Sequence, residues 1–535
     1  MRVFLVSGFG PTCKNDGYFK GTLFDGPNPV HVERGYFSSR GNFGLRELSF
    51  CHKDAIYPLL RSIGTSVPHL TTFTLASILA NAGHEVVHID TETIWRGNAA
   101  VPNVSPEAIL LSTSYIWDMK TLRKAVAFCD RCSADAPLFL GGQYANLRYE
   151  PILRQLPQVT AIMRGDAEHA LPLLLEAVSR AGGLSSVPNL VINEDLGRYR
   201  VTDVHEIPFD DFPAPPIEGR FEAVPYESMR GCPFTCGFCS FPFASPHWRY
   251  RSAARIAADW SSYAERNGTS LINAMDSTFT VPPRRMDELL ELLPPVGVRW
   301  EAYSRANYLK DRTIIDRLVE ARCRALSIGF ESMSDVTLRS MSKKVTAAQN
   351  WRAFELLKSG SLGFRCSFMV GYPGETPDNY KTTHDFLVNN FVGHFKLHVF
   401  GLTDEAMPVW GERERFDLKV LNDDEPDFSW VHSGMDATTA LELNHWTLDA
   451  VRRQNSLAVL HMWQDRYQRY LIPSFNRTNN LRIEKLVEKI AMLPRDFPDP
   501  SDGLREFDWL LAEASEFGIF RSDPRFHRSL PLVSD

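Results

Sequence analysis

The stretch 230-RGCPFTCGFCSFP-242 sets Cys232, Cys236 and Cys239 within eight residues, interleaved with Phe, Pro and Gly. Soft thiolate sulfur is what iron prefers in iron–sulfur clusters. A loop with cysteines at i, i+4 and i+7 can wrap one cubane and occupy three of its corners. The fourth iron then stays open, as one position does in catalytic metal sites, and an amino acid's amine and carboxylate can chelate it. Four cysteines would make a wire or a staple; three make a reaction site. The competing readings are structural zinc, with His247 as fourth ligand, and three buried structural thiols. Zinc sites favour two CxxC pairs, which this loop lacks.

Outward from the loop, the chain reads as strand–helix repeats. A strand precedes the cysteines from 224, and strand patterns follow at 271-LINAMD-276, 298-VRWEAYS-304, 325-ALSIGFE-331, 364-FRCSFMVG-371 and 395-FKLHVFG-401. Helical patterns at 284–293, 311–322 and 346–359 fill the gaps. Six such units predict a partial (β/α)6 barrel over 221–402, with chemistry at the C-terminal strand ends. Upstream, 2-RVFLVSG-8, 85-EVVHID-90, 108-AILLST-113, 137-PLFLGG-142 and 160-TAIMRG-165 alternate with amphipathic stretches at 70–83, 119–132 and 167–182. That pattern predicts a doubly wound, Rossmann-like α/β domain over 1–200, a parallel sheet with helices on both faces. The segment from Phe9 to about Gly64 reads as a long, ligand-covering loop. A Pro-rich linker occupies 201–220, and 403–535 reads as a helical C-terminal domain, helical by period across 437–471 and 481–493.

Composition excludes several classes. With 58 Lys+Arg against 65 Asp+Glu, a net charge of −7 and no basic stripe, the chain is not read as a nucleic-acid binder. No window is apolar for long enough to cross a bilayer, and the opening MRVFLVSGFG is too short for a signal peptide. Nine cysteines, an odd number, argue for a reducing cytoplasm rather than a disulfide framework.

The CxxxCxxC loop, with Phe238 before its last cysteine, resembles the signature of the radical S-adenosylmethionine (SAM) superfamily. The runs 325-ALSIGFESMSDVTLRSMSKK-344, 366-CSFMVGYPGETPDNYKTT-383 and 276-DSTFT-280 are similar to the subfamily that carries an N-terminal cobalamin-binding domain. The resemblance implies that Cys232, Cys236 and Cys239 hold a [4Fe-4S] cluster whose open iron chelates the methionine moiety of SAM. It places Phe238 near the adenine, Asp276 at the methionine amine, and Ser304 and Arg305 at the carboxylate or substrate. Glu331 falls at the ribose hydroxyls, and Gly371 opens a turn, reaching to Glu375, that approaches the adenine. Each has a plainer alternative: a helix cap for Asp276 or Ser304, an ion pair with Arg305 for Glu331, a tight turn at Gly371.

In the first domain, 137-PLFLGGQYANLR-148 and 160-TAIMRGDAEHALPLLLEA-177 resemble that subfamily's GG turn and RG(D/E)xE segment. Gly141 and Gly142, with Ser112 or Ser114 on the neighbouring strand end, sit at the crevice where doubly wound sheets bind ligands. The DxHxxG motif that supplies a histidine to cobalt is absent: Ser66, Pro68 and Thr71 stand at those positions, and His69 is out of phase, a surface or loop residue. Either cobalamin binds without a histidine lower ligand, or the domain binds nothing; the long loop and the glycine pair favour binding.

The resemblance implies one-electron cleavage of SAM to a 5′-deoxyadenosyl radical that takes hydrogen from an unactivated carbon. With methylcobalamin present, C-methylation of a small metabolite is the leading expectation. The alternatives are a radical cyclisation, ring contraction, dehydration or epimerisation, and a non-enzymatic cofactor-binding regulator. A small-molecule substrate and an electron donor such as flavodoxin or ferredoxin are the expected partners. Cys13, Cys51, Cys129, Cys132, Cys323 and Cys366 match no metal spacing and read as core or incidental thiols. His445, Trp446, His461, Trp463, Tyr467 and Tyr470 read as helix packing.

Overall fold

The computed structural model describes residues 1–9, 68–95, 97–195, 198–245, 247–422, 429–461 and 475–515. The expected loop lies outside the described residues beyond Phe9, as do Cys13, Cys51, Ser66, Trp463, Tyr467 and Tyr470.

The first half is built on strands β1 (Arg2–Ser7), β2 (Glu85–Asp90), β3 (Ala108–Ser112), β4 (Leu138–Gly141), β5 (Val159–Met163), β6 (Leu190–Asp195) and β7 (Arg198–Val201). They form one sheet in the order β2-β1-β3-β4-β5-β6-β7, parallel from β2 to β5. β6 and β7 add an antiparallel edge that the strand–helix alternation did not predict. Both faces of the parallel part are covered, so its strands read as continuous apolar runs. Phe4 and Val6 pack towards helix Met119–Cys132, while Val3 and Leu5 pack towards helices Leu70–Asn81 and Ala167–Ser179. Asp118 starts the first of these helices by accepting from Thr121 N at 2.7 Å. The crossing order changes between β1 and β3, which opens a crevice above the C-terminal ends of those strands.

The second sheet is parallel throughout. It comprises β8 (Ala223–Tyr226), β11 (Leu271–Ala274), β12 (Arg299–Arg305), β13 (Cys323–Glu331), β14 (Gly363–Val370), β15 (Gly393–Val399) and β18 (Ala458–Leu460). The order is β18-β15-β14-β13-β12-β11-β8, with no pairing between the two ends among the described residues, which makes a partial barrel. A short antiparallel ribbon, β9 (Met229–Arg230) with β10 (Arg249–Tyr250), rises from the end of β8, and a second, β16 (Lys419–Val420) with β17 (Trp430–Val431), lies beyond β15. Along each barrel strand side chains alternate. Phe364, Cys366 and Phe368 enter the apolar core against the helices, whereas Arg365 bonds Ser327 of β13 on the other face.

β18 corrects the reading of 437–471 as helical throughout. Helix Ala437–Gln454 ends at Asn455, whose side-chain amide donates to the carbonyls of Leu387 and Phe391, both at 2.9 Å. The freed segment 458-AVL-460 pairs with β15, because completing a buried sheet edge satisfies backbone groups that another helical turn would leave unpaired. Two further helices follow among the described residues, Arg477–Asp496 and Pro500–Ser515. The first of these helices places Glu484 2.6 Å from His394 of β15.

Candidate active site

The ribbon β9–β10 is the neck of the cysteine loop, with Arg230 opposite Arg249 and Met229 opposite Tyr250. Gly231, at φ +75°, lets the neck close: a Cβ there would lie 2.7 Å from the Ser245 carbonyl oxygen. Within the loop Cys236 is buried and Cys232 and Cys239 are half-buried. Cys239 N donates to Cys236 O at 3.1 Å, and Gly237 is stitched on both sides, to Met341 O at 2.8 Å and from Val409 N at 3.0 Å. Burial pushes the Cys239 thiol up to about 12, and the neighbouring Cys236 and Cys232 add to the rise. The three sulfurs are therefore electrostatic neighbours. They do not converge on one ion: among the described residues no three His, Cys, Asp or Glu side chains do. His247, the ligand the zinc reading needs, is exposed and bonds Glu206 at 2.6 Å. Three soft thiolates in one short loop are a donor set that suits a cubane, each on a different iron.

Arg305 and Glu331 stand beside the loop. Arg305 Nη1 lies 3.5 Å from Cys236 Sγ, its guanidinium carbon sits 3.9 Å from the centroid of the Phe234 ring, and Nη2 donates to Lys343 O. Glu331 pairs with Lys343 at 2.9 Å rather than with Arg305. Its φ of +62° is a strained value for a non-glycine residue, at a break in the β13–β14 register. Gly329 makes room for that pair, since a Cβ there would fall 2.2 Å from Glu331 Oε1. Lys343 Nζ also lies 5.4 Å from the Phe238 ring centroid and acts to lower the Cys239 thiol's pKa. Phe238 meets Tyr372 edge-on at 6.4 Å, and the Tyr372 hydroxyl packs against the bare Cα of Gly237, where a Cβ would be 2.0 Å away.

Two of the residues expected at the ligand also bond the chain itself. Asp276 is buried and turns its carboxylate onto the chain, accepting from Ser228 N at 2.7 Å, Met229 N at 2.9 Å and the Ser228 hydroxyl. It braces the strand that leads into the cysteine loop; burial raises its pKa to about 6. Ser304 faces away from Arg305 along β12 and bonds Thr280 at 3.0 Å. Gly371, at φ +88°, opens a turn with no space for a Cβ, which would meet Ala440 at 2.6 Å and Trp430 at 2.8 Å. Glu375 closes that turn by accepting from Gly371 N at 2.8 Å and from the Thr337 hydroxyl at 3.1 Å; burial pushes its pKa up to about 8.

At the tips of the first sheet, Gly142 has φ +100°, and a Cβ there would strike Ser114 N at 2.7 Å. Ser112 and Ser114 bond each other at 3.3 Å. With Gly141, these three residues line a cleft that is partly open to solvent. Its floor is apolar, with Leu110, Phe139, Leu171 and Leu174 between the sheet and its helices, and its opposite wall is the cysteine loop, through Arg230, Gly231, Phe241, Ala244 and Ser245. The glycine rim admits a flat ligand, and the apolar slot beneath it suits a displaced aromatic base, so the residues present fit a corrin. Among the described residues no histidine lines this cleft. Thr71 does line it, whereas His69 caps helix Leu70–Asn81 through Thr72 N and is half-buried against Phe9 and Tyr115.

Sequence models place the same division on the chain: the B12 binding domain matches residues 57–175 and the radical SAM superfamily matches residues 226–387. The chain carries a B12-binding domain followed by a radical SAM domain. The chain is 27% identical over 345 residues to an uncharacterized methyltransferase of Pyrococcus horikoshii, covering 61% of the chain and 74% of that relative. It is 28% identical over 173 residues to the bacteriochlorophyllide d C-12(1)-methyltransferase of Chlorobaculum tepidum, covering 32% of the chain and 38% of that enzyme. Its fold matches the radical SAM methyltransferase TsrM of Kitasatospora setae, solved with tryptophan and a SAM analogue, at TM-score 0.57 and 15% identity over 92% of this chain and 96% of that one.

Sequence reasoning did not single out Lys343, Asp166 or Glu168, and it reached Tyr372 only as part of the Gly371–Glu375 turn. The signal for all four was present in the runs that carried the family resemblance, 325–344, 366–383 and 160–177. Cys129, Cys323 and Cys366 are core thiols, each with its pKa raised by burial. Trp446 stacks on His384 at 3.5 Å.

Proposed function

We propose that this radical SAM protein is a cobalamin-dependent methyltransferase acting on an unactivated carbon of a small metabolite. One observation carries the reading: the glycine–serine rim of the B12-binding domain and the cysteine loop of the barrel are two walls of one cleft. Cys232, Cys236 and Cys239 would hold the cluster, and the rim at Gly141 and Gly142, with Ser112 and Ser114, would hold the corrin. When bound, the cluster and SAM supply one-electron chemistry able to open a C–H bond, and the corrin supplies a methyl group. The chain's own part is placement. Arg305 puts a fixed positive charge and an N–H donor beside Cys236. Lys343 neutralises Glu331 at the strand end where the ribose is expected and keeps a second cation near Cys239. Phe238 and Tyr372 form an apolar wall that keeps water from the loop. Flavodoxin or ferredoxin would supply electrons in a reducing cytoplasm. No helix among the described residues is long and apolar enough to cross a membrane.

The test is anaerobic reconstitution with iron, sulfide and cobalamin, followed by incubation with SAM and a strong reductant. Formation of 5′-deoxyadenosine that Cys236→Ala abolishes supports the enzyme. A methylated product separates methyl transfer from the cyclising or epimerising alternatives. A protein that keeps its cluster but makes no 5′-deoxyadenosine is a regulator, which defeats the proposal.

A further inference from the structure

The segment 164-RGDAE-168 lies at the C-terminal end of β5, far in sequence from the cysteines, yet it holds both arms of their loop. Asp166 is 2% exposed. Its Oδ1 accepts from Arg230 Nη1 at 2.7 Å and its Oδ2 from Arg249 Nη1 at 2.6 Å. Glu168 accepts from Arg230 Nη1 at 2.9 Å and pairs with Nη2 at 2.5 Å. Glu227, at the end of β8, takes a remaining edge of the same guanidinium at 3.0 Å. Arg230 and Arg249 face each other across the β9–β10 ribbon, so one carboxylate of the B12-binding domain grips both strands of the neck. Asn146 adds a third tie by donating to Ala244 O at 2.6 Å, while its own carbonyl accepts from Arg164 Nε at 3.0 Å. The same segment, Gly165 to Glu168, lines the cleft beside the glycine rim.

A bidentate guanidinium–carboxylate contact fixes orientation as well as distance; Arg249 makes one with Asp166 and Arg230 makes one with Glu168, while a single further bond ties Arg230 to Asp166. The cysteine loop is closed on itself at Gly231, so holding its neck holds the loop. We propose that Asp166 and Glu168 are positioning residues: through Arg230 and Arg249 they hang the cysteine loop from the rim of the corrin cleft and set the spacing between the two cofactors. The proposal rests on the cobalamin and cluster assignments above. It assigns the RGDAE segment to the partner domain rather than to the corrin.

The experiment compares wild type with Asp166→Asn/Glu168→Gln, which keeps side-chain shape and removes the charge, and with the milder Arg249→Lys. Each is loaded anaerobically with cluster and cobalamin. The magnetic interaction between cob(II)alamin and the reduced cluster is read by electron paramagnetic resonance, and hydrogen exchange of the ribbon amides is followed in the same proteins. The double variant is expected to keep its iron, sulfide and cobalamin but to show a weaker and broader interaction. Its exchange at Met229, Arg230, Arg249 and Tyr250 should rise about tenfold or more, with Arg249→Lys between the two. An interaction and an exchange pattern identical to wild type would overturn the clasp. Wild-type protein that takes up no corrin would defeat the functional reading instead, and the exchange comparison would still decide whether the acids hold the ribbon.

Discussion

The two walls of the cleft are made by opposite means. The B12-binding side offers backbone: Gly142 at a positive φ, Gly141 at a strand tip, two serines bonded to each other, and an apolar slot behind them. The barrel side offers side chains: three thiols, Arg305 against Cys236, and the Lys343–Glu331 pair. Their strands differ accordingly. β1 and β3 are apolar on both faces because helices cover both, so chemistry is confined to their ends. β12 to β15 are apolar only towards the helices, which leaves inner positions such as Arg305, Glu331, Arg365 and His394 for charge. A wall that recognises by shape should fail when a Cβ is added, and a wall that recognises by charge should fail when a charge or its spacing is altered.

The largest effect is expected at Gly237, where the cysteine loop borrows the backbone device. Gly237→Ala drives a methyl into the Tyr372 hydroxyl, 2.0 Å away at a site with no solvent to yield into. Overpacking of this kind costs about 1–3 kcal/mol or more, and reconstituted iron should fall to under about half of wild type. Adding Tyr372→Phe should restore much of it, because the next ring atom is 3.1 Å away. Iron content that is normal in the single variant would show that the loop tolerates the methyl.

Gly142→Ala is the matching change on the other wall. Strain at φ +100° together with the contact to Ser114 N should weaken cobalamin binding about tenfold to a hundredfold in an absorbance titration. SAM cleavage should be untouched. If both activities fell together, the two walls would not be separable in the way the geometry describes.

Glu375 gives a smaller, pH-dependent difference. Its pKa rises from an ordinary 4.5 to about 8, chiefly through burial. Between those values the folded protein keeps a proton that the unfolded chain has lost, so this group makes stability fall as pH rises, by about 1.4 kcal/mol per pH unit. Glu375→Gln should remove that slope between pH 5 and 8 in chemical denaturation, and parallel curves for the two proteins would contradict the burial argument. The smallest effect belongs to Arg284→Ala. The pair with Glu288 lies on the surface, Arg284 being 92% exposed, and its loss should change stability by under about 0.5 kcal/mol.

Most of this architecture was legible because periodicity follows burial. β1 to β5, six barrel strands and the helices between them stand within a few residues of where the apolar patterns put them. The exceptions have physical reasons. β6 and β7 form an edge of mixed polarity with no strict alternation, and β18 is three residues long and held by a neighbour far away in sequence. At the site, cysteine spacing and glycine pairs were readable because they are local. Lys343 on Glu331, Arg305 on Cys236 and Asp166 on two arginines were not, since each partner lies 12 to 83 residues away and no period connects them. Asp276, expected at the methionine amine, likewise accepts from the backbone amides of Ser228 and Met229, partners 48 and 47 residues away.

We propose that one cleft holds an open-cornered cluster on one wall and a corrin on the other. It is tested most directly by titrating cobalamin into cluster-loaded protein without oxygen, with iron, sulfide and corrin counted and SAM cleavage followed, for wild type and Cys236→Ala. Wild type is expected to hold both cofactors and cleave SAM, while Cys236→Ala keeps the corrin and loses cleavage. A centre that proves to be zinc, or a cluster indifferent to SAM beside a cleft that takes no corrin, would contradict it.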